Sequence, residues 1–344
     1  MSAPAPAALF DQDVVRRAVD TTLAHYMSGQ MLSAHHRGLP QQALQSLKDF
    51  LNSGGKRIRP VLCVAGWQAA GGSGAPDPVL KAAASLELFH ASMLIHDDII
   101  DASDTRRGQP TVHRQTSTEA AILIGDLALV LADDLLHSAN LTPDQLTPVL
   151  HVANRLRADT LYGQYLDVLH AGQPPADPGP ALAITHYKTA KYTIEGPLLL
   201  GAALAGADDA LRGMLSAYGI PIGEAFQLRD DLLGVFGDPR DTGKPTLDDL
   251  REGKATVLMA LALQNANPAQ HRTLRRHVGN PHLTHQDAAQ VCTVLIDTGA
   301  RAAVEDMISQ RRQSALTTLD SADLPAHITA VLRSQAFSAT ARTT

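Results

Sequence analysis

Two clusters of acidic residues are the part of this chain whose residue types and spacing could do chemistry. The first contains Asp97, Asp98 and Asp101, and Arg106 and Arg107 follow it within a few residues. On a helix, Asp97 and Asp101 share a face one turn apart, while Asp98 lies about 100° round the axis. Such close carboxylates repel each other and tolerate burial only where cations neutralise them. Mg²⁺ suits them, because it binds carboxylate oxygens and fills its remaining positions with water or phosphate.

The second cluster lies on one stripe of a later predicted helix. Gln227, Asp231 and Gly234 recur at i, i+4 and i+7, Asp230 is adjacent to this stripe, and Lys244 follows it. A lone acidic cluster could equally be a solvated helix end. Two clusters that are each followed by basic residues favour another interpretation, in which metal ions and cations hold a diphosphate from two sides.

A short segment with two glycines, residues 54–60, is a candidate anion-binding loop. Glycine lets the backbone approach an anion closely, and Lys56 and Arg59 can converge at a helix start, where the helix dipole favours anions. His90 precedes Asp97 by seven residues, two turns along the same face, so we expect it inside the site rather than in the outer wall. Taken alone, the basic loop could be solvated and the histidine could belong to the core.

The composition favours a soluble helical protein that binds a small anion. Hydrophobic residues make up 44% of the 344 residues and aromatic residues only 4%, and Ala and Leu dominate, which favours close-packed helices. The net charge of −6, without a long basic cluster, argues against nucleic acid as a partner. Cys63 and Cys292 are expected to be buried free thiols in a reducing compartment. No targeting signal or membrane-spanning run is visible, so we expect a cytoplasmic protein without stable membrane insertion.

Helical periodicity covers most of the chain, and no stretch shows credible strand alternation. We therefore predict an all-α fold, with residues 1–10 as a disordered tail and residues 11–340 as a single domain. Loops rich in glycine and proline separate the predicted helices. Those helices are 11–30, 41–51, 58–70, 78–100, 118–138, 143–170, 181–205, a helix from 208 through the second acidic cluster, and shorter helices to about 334.

With these motifs in place, the sequence resembles the trans-prenyltransferases, which are head-to-tail polyprenyl diphosphate synthases, and among them it looks like the geranylgeranyl diphosphate synthases. The resemblance is clearest over residues 54–256, where 97–101 and 230–234 look like the family's two aspartate-rich motifs. The second motif departs from the usual pattern. Gly234 stands where a third Asp is usual, and whether Asp238 replaces it stays open. The resemblance implies an isoprenoid synthase-type helical bundle around a deep central cavity, and it implies a homodimer.

The resemblance also implies roles for individual residues. Two or three Mg²⁺ ions per site are expected, with Asp97, Asp101 and Asp230 as their ligands. The residues implied in catalysis are Asp97, Asp98, Asp101, Lys188, Asp230, Asp231 and Lys244. Those implied in binding the diphosphate of isopentenyl diphosphate are Lys56, Arg59, His90 and Arg107. Those implied in binding the allylic diphosphate are Arg106, Lys188, Thr189, Gln227 and Lys244.

Five further polar residues receive less specific interpretations. Lys191 lies on the helix of Lys188 but does not match the motif, so we expect either a surface charge or a charge behind the residues that touch the substrate. Lys254 is expected to make a further closing contact. Asp167 resembles part of a family pattern that lines the cavity, without a firm role. The pair Asp133–Asp134 lacks basic followers and is interpreted as a solvated helix face.

The reaction implied by the resemblance is metal-assisted ionisation of an allylic diphosphate, attack by the double bond of isopentenyl diphosphate and loss of a proton. The depth of the cavity below Asp97 should then set the product length. Ser92 is small where short-chain relatives often carry an aromatic residue, and Met93 and Phe89 lie one and two turns below Asp97. We predict a linear all-trans geranylgeranyl diphosphate, with a longer product second. Alternatively, Met93 and Phe89 are ordinary packing residues.

Three other functions are weighed against this one. A class I terpene cyclase usually carries Asn, Ser or Thr and Glu in its second metal motif, and it would have no use for Lys56 and Arg59 without a second diphosphate. A helical phosphohydrolase that uses His96 and Asp97 would need more histidine ligands than His90 supplies. A non-catalytic regulatory subunit would be expected to lack acidic motifs that are nearly complete here.

Overall fold

The computed structural model describes residues 10–172, 176–237 and 248–341. All of the predicted N-terminal tail except Phe10 lies outside these residues, and so do Asp238 and Lys244. Contacts divide the chain into two compact units. The first comprises Met1–Val152, Pro197–Arg212 and Leu324–Val331, and the second comprises Ala153–Gly196, Gly213–Asp323 and Leu332–Thr344. The single domain expected from the sequence stays a prediction.

The first unit is built on the helix that carries the first acidic cluster. This helix, Asp77–Ile100, packs most extensively against Thr118–His137, because both are rich in small and branched apolar residues. The contact is close at Gly125, where an added Cβ would lie 2.3 Å from the His96 ring nitrogen Nε2. The helices that lie wholly in this unit are Gln12–His36, Gln42–Asn52, Ile58–Ala69, Asp77–Ile100, Val112–Gln115 and Thr118–His137.

A short antiparallel hairpin directly follows the first acidic cluster. Thr105–Arg106 pairs with Gln109–Pro110. Arg107 and Gly108 form its two-residue turn with φ of 53° and 73°, as expected for the mirror-image turns that match strand twist. The all-α prediction is confirmed, and no sequence pattern indicates this hairpin because strands of two residues are too short to show alternation. The hairpin fixes the backbone that carries Arg106 and Arg107.

The second unit contains the helix that carries the second acidic cluster. Asp209–Phe236 begins after Asp208, whose side chain accepts a hydrogen bond from the amide of Leu211 at 2.9 Å, so the predicted helix start is confirmed. Buried apolar residues from several helices of this unit form one cluster around Leu228 and Leu232. The helices wholly in this unit are Pro178–Ile184, Thr185–Glu195, Asp248–Glu252, Val257–Asn265, Pro268–His277, His285–Asp297 and Ala300–Asp320. Four helices have residues in both units, namely Pro143–His170, Gly196–Leu204, Asp209–Phe236 and Ala326–Thr340.

The predicted helix 181–205 is not one regular α-helix. Its central part, Thr185–Glu195, is a π-helix that carries Lys188 and Thr189, with α-helices before and after it. Hydrogen bonding to the fifth residue widens such a segment, which is uncommon and frequent at functional sites. Apolar periodicity does not distinguish it from an α-helix, and this explains the error.

Glycines on two neighbouring helices let the π-helix approach closely. A Cβ at Gly163 would lie 2.2 Å from the backbone nitrogen of Lys188, and a Cβ at Gly223 would lie 2.4 Å from the Cα of Ala190. Real Cβ contacts are not this short, so any side chain at either position must displace backbone. The two glycines therefore fix the placement of Lys188 and its neighbours within the second unit.

This close approach predicts opposite effects of two Gly→Ala substitutions on the helix Asp209–Phe236. Gly223→Ala should lower the free energy of unfolding by about 1–3 kcal/mol, because the added methyl group overpacks the contact with Ala190. Gly213→Ala is the matched control, because nothing lies within 4 Å of its Cβ position, and it should raise stability by about 0.5–1 kcal/mol. Urea denaturation followed by circular dichroism measures both. Equal effects at the two positions would contradict the close approach.

Two predictions about individual side chains need correction. Cys63 is buried as expected, but Cys292 is only half-buried, with its thiol 3.8 Å from the Val235 carbonyl. The pair Asp133–Asp134 is not simply a solvated face, since Asp134 accepts hydrogen bonds from the Tyr26 hydroxyl at 2.6 Å and from the Gln30 amide at 3.0 Å.

Candidate functional site

The first acidic cluster lies at the C-terminal end of its helix, and its carboxylates have different surroundings. Asp98 is buried and bound by Arg106, with Nη2–Oδ1 and Nε–Oδ1 distances of 2.7 and 2.8 Å. Burial raises the pKa of Asp98, although the hydrogen bond from Arg106 opposes this effect. Asp97 and Asp101 remain partly exposed. Asp98 and Arg106 thus form an internal pair, and Arg106 also lies 3.5 Å from Asp97, while the role of Asp97 and Asp101 as metal ligands stays a prediction.

His90 lies on the same helix as the first acidic cluster, and basic residues of the first unit surround it. Burial and the charges of four arginines lower the pKa of His90 well below its usual value, so the ring is neutral at pH 7. Those arginines are, in order of effect, Arg59, Arg107, Arg106 and Arg57. Several positive charges held around a neutral, partly buried ring favour binding of a compact, multiply charged anion.

Arg107 contacts the glycine loop of the first unit, residues 54–60, which is the predicted anion-binding segment. The Arg107 guanidinium donates hydrogen bonds to the Gly54 carbonyl and, at 3.3 Å, to the Ser53 hydroxyl. Lys56 and Arg107 are exposed, while Arg59 is half-buried. Burial, followed by the charges of Arg106 and Arg57, lowers the pKa of Arg107 below its usual value. Arg59 and Arg107 thus lie near the neutral His90, whereas the grouping of Lys56 with them stays a prediction.

The second unit links three predicted residues in one hydrogen-bonded chain. The Thr189 hydroxyl donates to Gln227 Oε1 at 2.7 Å, and the Gln227 amide donates to Asp231 Oδ1 at 2.8 Å. Lys188 Nζ lies 2.6 Å from Asp167 Oδ2. Asp167, which had no firm role in the sequence analysis, therefore holds the Lys188 ammonium group.

Asp231 is the most strongly perturbed carboxylate of this chain of contacts. Burial is the largest cause that raises the pKa of Asp231, the hydrogen bond from Gln227 opposes it, and repulsion from Asp249 and Asp230 adds to it, with a net pKa of about 7. Lys254 lies 2.7 Å from Asp249 and 3.1 Å from Glu252. Lys254 thus partly neutralises this acidic group from within the unit, whereas its predicted role as a closing contact is untested.

At two positions, Gly234 and Lys191, the structure adds to or corrects what the sequence predicts. A Cβ at Gly234 would lie 1.8 Å from Asp249 Oδ2, so glycine at this position leaves room for the Asp249 carboxylate. Of the two expectations for Lys191, the surface charge is wrong, because its side chain is 13% exposed and lies 3.3 Å from both Asp159 and Glu195. Asp159 is far from Lys191 in sequence, so no local pattern could have identified this pair.

The donor atoms at both acidic clusters fit a divalent metal. They are carboxylate oxygens, which Mg²⁺ and Ca²⁺ prefer, and in the second cluster Asp231 is buried near Asp230 and Asp249, which repel it. Among the described residues, no three acidic, histidine or cysteine side chains already converge as a complete metal site. Water and a phosphate group would therefore have to complete the coordination, which is the usual situation for Mg²⁺.

The helical fold and the acidic and cationic clusters define an all-α prenyltransferase of the isoprenoid synthase type. The polyprenyl synthetase family model matches residues 40–295, and the chain belongs to this family. Geranylgeranyl diphosphate synthase of Mycobacterium tuberculosis is 34% identical over 78% of this chain and 76% of its own length. Geranylfarnesyl diphosphate synthase of Aeropyrum pernix is 33% identical over 73% of this chain and 78% of its own.

A solved structure extends this likeness to the whole chain. Geranylgeranyl pyrophosphate synthase of Corynebacterium glutamicum, complexed with isoprenyl diphosphate and magnesium, is 42% identical, with a TM-score of 0.91. The match covers 96% of this chain and 99% of the other. The family and this magnesium complex indicate dependence on a divalent metal.

The pKa of Asp231 predicts how pH affects the stability of the metal-free protein. The folded state holds its proton to about pH 7, whereas the unfolded chain loses it near 3.8, so stability should fall as pH rises between these values. Asp231→Asn should remove this slope, leaving stability similar at pH 4 and higher than wild type at pH 8 by a few kcal/mol. Urea denaturation in EDTA at several pH values measures the effect. A wild-type slope unchanged in the variant would contradict the assignment.

Proposed function

We propose that this enzyme condenses isopentenyl diphosphate head to tail with an allylic diphosphate and releases a linear all-trans prenyl diphosphate. The observation that carries the proposal is the group of arginines around the neutral His90 in the first unit, in which Arg107 is bound to the loop that carries Lys56. A cyclase that ionises one diphosphate has no need of such a cluster. A condensing enzyme needs it to bind the second diphosphate substrate.

We infer that Mg²⁺ is the metal and that two or three ions act per site. Asp97 and Asp101 of the first unit, and Asp230 of the second, are the proposed ligands. When bound, the metal supplies a Lewis acid that neutralises charge on the departing diphosphate. Partial exposure of all three carboxylates supports their assignment, as does the magnesium in the related Corynebacterium structure.

In this proposal, side chains of the protein, in addition to the metal ions, bind and orient the two substrates. Lys56, Arg59, His90 and Arg107 bind the diphosphate of isopentenyl diphosphate, and a neutral His90 can donate one hydrogen bond to it. Lys188, oriented by Asp167, adds fixed positive charge where the allylic diphosphate departs. The roles implied for Asp98, Thr189, Gln227, Asp231, Arg106 and Lys244 stay predictions.

Proximity and exclusion of water account for the remaining steps. Holding the double bond of one substrate beside the allylic carbon of the other makes the reaction effectively unimolecular. An apolar wall protects the carbocation from water. The side chains described here include no obvious base for the final proton, so we propose that the released diphosphate accepts it.

We propose geranylgeranyl diphosphate as the product, with a longer chain as the second candidate. The solved relative and the Mycobacterium relative are geranylgeranyl diphosphate synthases, whereas the Aeropyrum relative makes the longer geranylfarnesyl diphosphate by its name. Ser92 and Phe89 are buried at 0% and 1% exposure, while Met93 is partly exposed. Phe89 is thus the large, rigid residue on this face that could stop a growing chain.

We also propose that the enzyme is a homodimer. Each unit has an exposed apolar helix face, which is unusual on a monomer when several large residues are contiguous. In the first unit Leu123 and Val130 are 68% and 61% exposed, and in the second Tyr162 and Tyr165 are 68% and 61% exposed. A second copy of the chain would cover both faces. Sedimentation of Leu123→Glu and Tyr165→Glu should show monomers, and unchanged sedimentation would contradict the proposal.

A cytoplasmic enzyme without membrane insertion is also proposed. Among the described residues, one helix, Asp77–Ile100, is long and apolar enough to cross a membrane, but 67% of the relevant window is buried inside the protein. This burial is expected for a core helix. Fractionation of cells expressing the protein would test the proposal, and recovery only with integral membrane proteins would contradict it.

The proposed activity predicts chain elongation in one incubation. Labelled isopentenyl diphosphate, farnesyl diphosphate and Mg²⁺ should give a labelled prenyl diphosphate, and EDTA should abolish it. Asp97→Asn and Asp230→Asn should each lower kcat by at least about 100-fold, because charge on the leaving group is then poorly neutralised. Asp49→Asn, which changes an exposed carboxylate, is the control and should retain activity. A cyclic hydrocarbon, free phosphate or no turnover would each contradict the proposal.

The assignment of Phe89 predicts a change in product length. Phe89→Ala should give products longer than those of the wild type, because the removed ring leaves space for further isoprene units. Phe89→Leu removes less volume and should shift the product less, while also costing less stability. Phe337→Ala changes an exposed ring and is the control. Chromatography of dephosphorylated products measures chain length, and an unchanged distribution in both Phe89 variants would refute the assignment.

A further inference from the structure

Arg57 holds an unusual backbone conformation within the proposed diphosphate-binding loop. It directly precedes the helix Ile58–Ala69 and lies in the left-handed region, with φ of 48° and ψ of 40°. A side chain other than glycine enters this region at a cost in free energy, and it does so only where surrounding contacts fix it. Neighbouring Gly54 and Gly55 also have positive φ values, of 98° and 152°. The backbone conformation of this turn therefore depends on the contacts that hold the Arg57 side chain.

Three acceptors hold the Arg57 side chain. Its Nη1 lies 2.9 Å from Glu87 Oε2, its Nε lies 2.9 Å from Asp20 Oδ1, and its Nη2 donates to the Leu51 carbonyl at 2.8 Å. Glu87 is 4% exposed, and Arg57 is 10% exposed at its side chain. A buried carboxylate with a guanidinium partner is costly to separate, because either charge left alone would be unpaired in a poorly solvated place. The pair therefore fixes the loop against the helix Asp77–Ile100.

The same guanidinium borders the loop glycine next to Lys56. A Cβ at Gly55 would lie 3.2 Å from Arg57 Nη1 and 3.4 Å from Arg107 Nη2. The two arginines thus flank Gly55, one held by Glu87 and the other bound to the Gly54 carbonyl. Glu87 precedes His90 by three residues, one turn along the same helix.

The two flanking arginines differ in their charge environment. Burial works against the charge of Arg57, but Glu87 and Asp20 outweigh it and raise the pKa of Arg57. For Arg107, burial and the neighbouring arginines dominate and lower its pKa. The positive charge of Arg57 is therefore compensated by the buried Glu87 and the more exposed Asp20, whereas Arg107 has more to gain from a bound anion.

We propose that Arg57 and Glu87 are a pair of positioning residues that fix the conformation of the loop Gly54–Lys56. This loop in turn orients Lys56, Arg59 and Arg107 to bind the diphosphate of isopentenyl diphosphate. The inference rests on the proposed function. It predicts that the pair governs the KM for isopentenyl diphosphate and leaves the KM for the allylic diphosphate nearly unchanged. A purely structural pair would lower thermal stability and affect both substrates alike.

The test is steady-state kinetics of the full-length enzyme with farnesyl diphosphate, isopentenyl diphosphate and Mg²⁺. Glu87→Gln keeps the size of the side chain and removes its charge, and it should raise the KM for isopentenyl diphosphate about tenfold, with the KM for farnesyl diphosphate changed less than about twofold. Arg57→Gln should do the same. The double variant should be no worse than either single variant, because each acts through the other. Arg57→Lys, which keeps the charge, should recover part of the loss.

A second variant and a control keep the result interpretable. Asp20→Asn removes only the exposed partner of Arg57, so this variant should fold normally and raise the KM for isopentenyl diphosphate about twofold. Asp134→Asn removes a hydrogen-bonded carboxylate of the same unit that contacts Tyr26 and Gln30 instead, and it should leave both KM values unchanged. Equal rises for both substrates, additive single effects or no rise at all would overturn the inference. A wild-type enzyme without elongation activity would instead overturn the proposed function.

Discussion

Compensation of buried or half-buried carboxylates by nearby groups is the physical constraint on which both candidate sites depend. An uncompensated charge in a poorly solvated place is too costly to retain, so each carboxylate must pair, lose its charge or bind a cation. Asp98 pairs with Arg106 inside the first unit. Asp231 is buried, and burial together with the repulsion of Asp249 and Asp230 raises its pKa to about 7, against the hydrogen bond from Gln227 and the charge of Lys254. The first cluster is thus partly neutralised by the protein itself, whereas the second retains a negative excess that a divalent cation would relieve.

Close backbone contact, rather than side-chain packing alone, positions two residues of the second unit that are implied in binding the allylic diphosphate. Lys188 and Thr189 lie on a π-helix, which is held close to its neighbours at Gly163 and Gly223. An α-helix of the same sequence would place these two side chains at different heights and angles, since the π-helix has more residues per turn. The hydrogen bond from Thr189 to Gln227 and the ion pair of Lys188 with Asp167 therefore depend on this local geometry.

The sequence was sufficient to predict features with local physical causes. The helix Pro143–His170 has the predicted ends, and Asp77–Ile100 differs by one residue, because prolines and caps mark helix ends. Features that depend on distant partners could not be predicted. The pairing of Lys191 with Asp159 requires two helices to be in contact, and the hairpin at Arg106 has strands too short for any pattern. Likewise, no local signal indicates that the Asp249 carboxylate fills the space beside Gly234.

The arginines of the first unit show why residue type alone does not reveal a role. Arg57 and Arg106 each bind a buried carboxylate of the helix Asp77–Ile100, namely Glu87 and Asp98. These carboxylates are 11 residues apart, so they lie on the same face of the helix, about 16 Å from each other along its axis. His90 lies between them on that face. The helix is rigid and fixes one guanidinium at each end of this face. It therefore keeps the arginines around His90 at a constant spacing, even when the loops beyond it change conformation. Binding of a diphosphate then requires little reorganisation of these charges, and such preorganisation is what makes fixed charges effective.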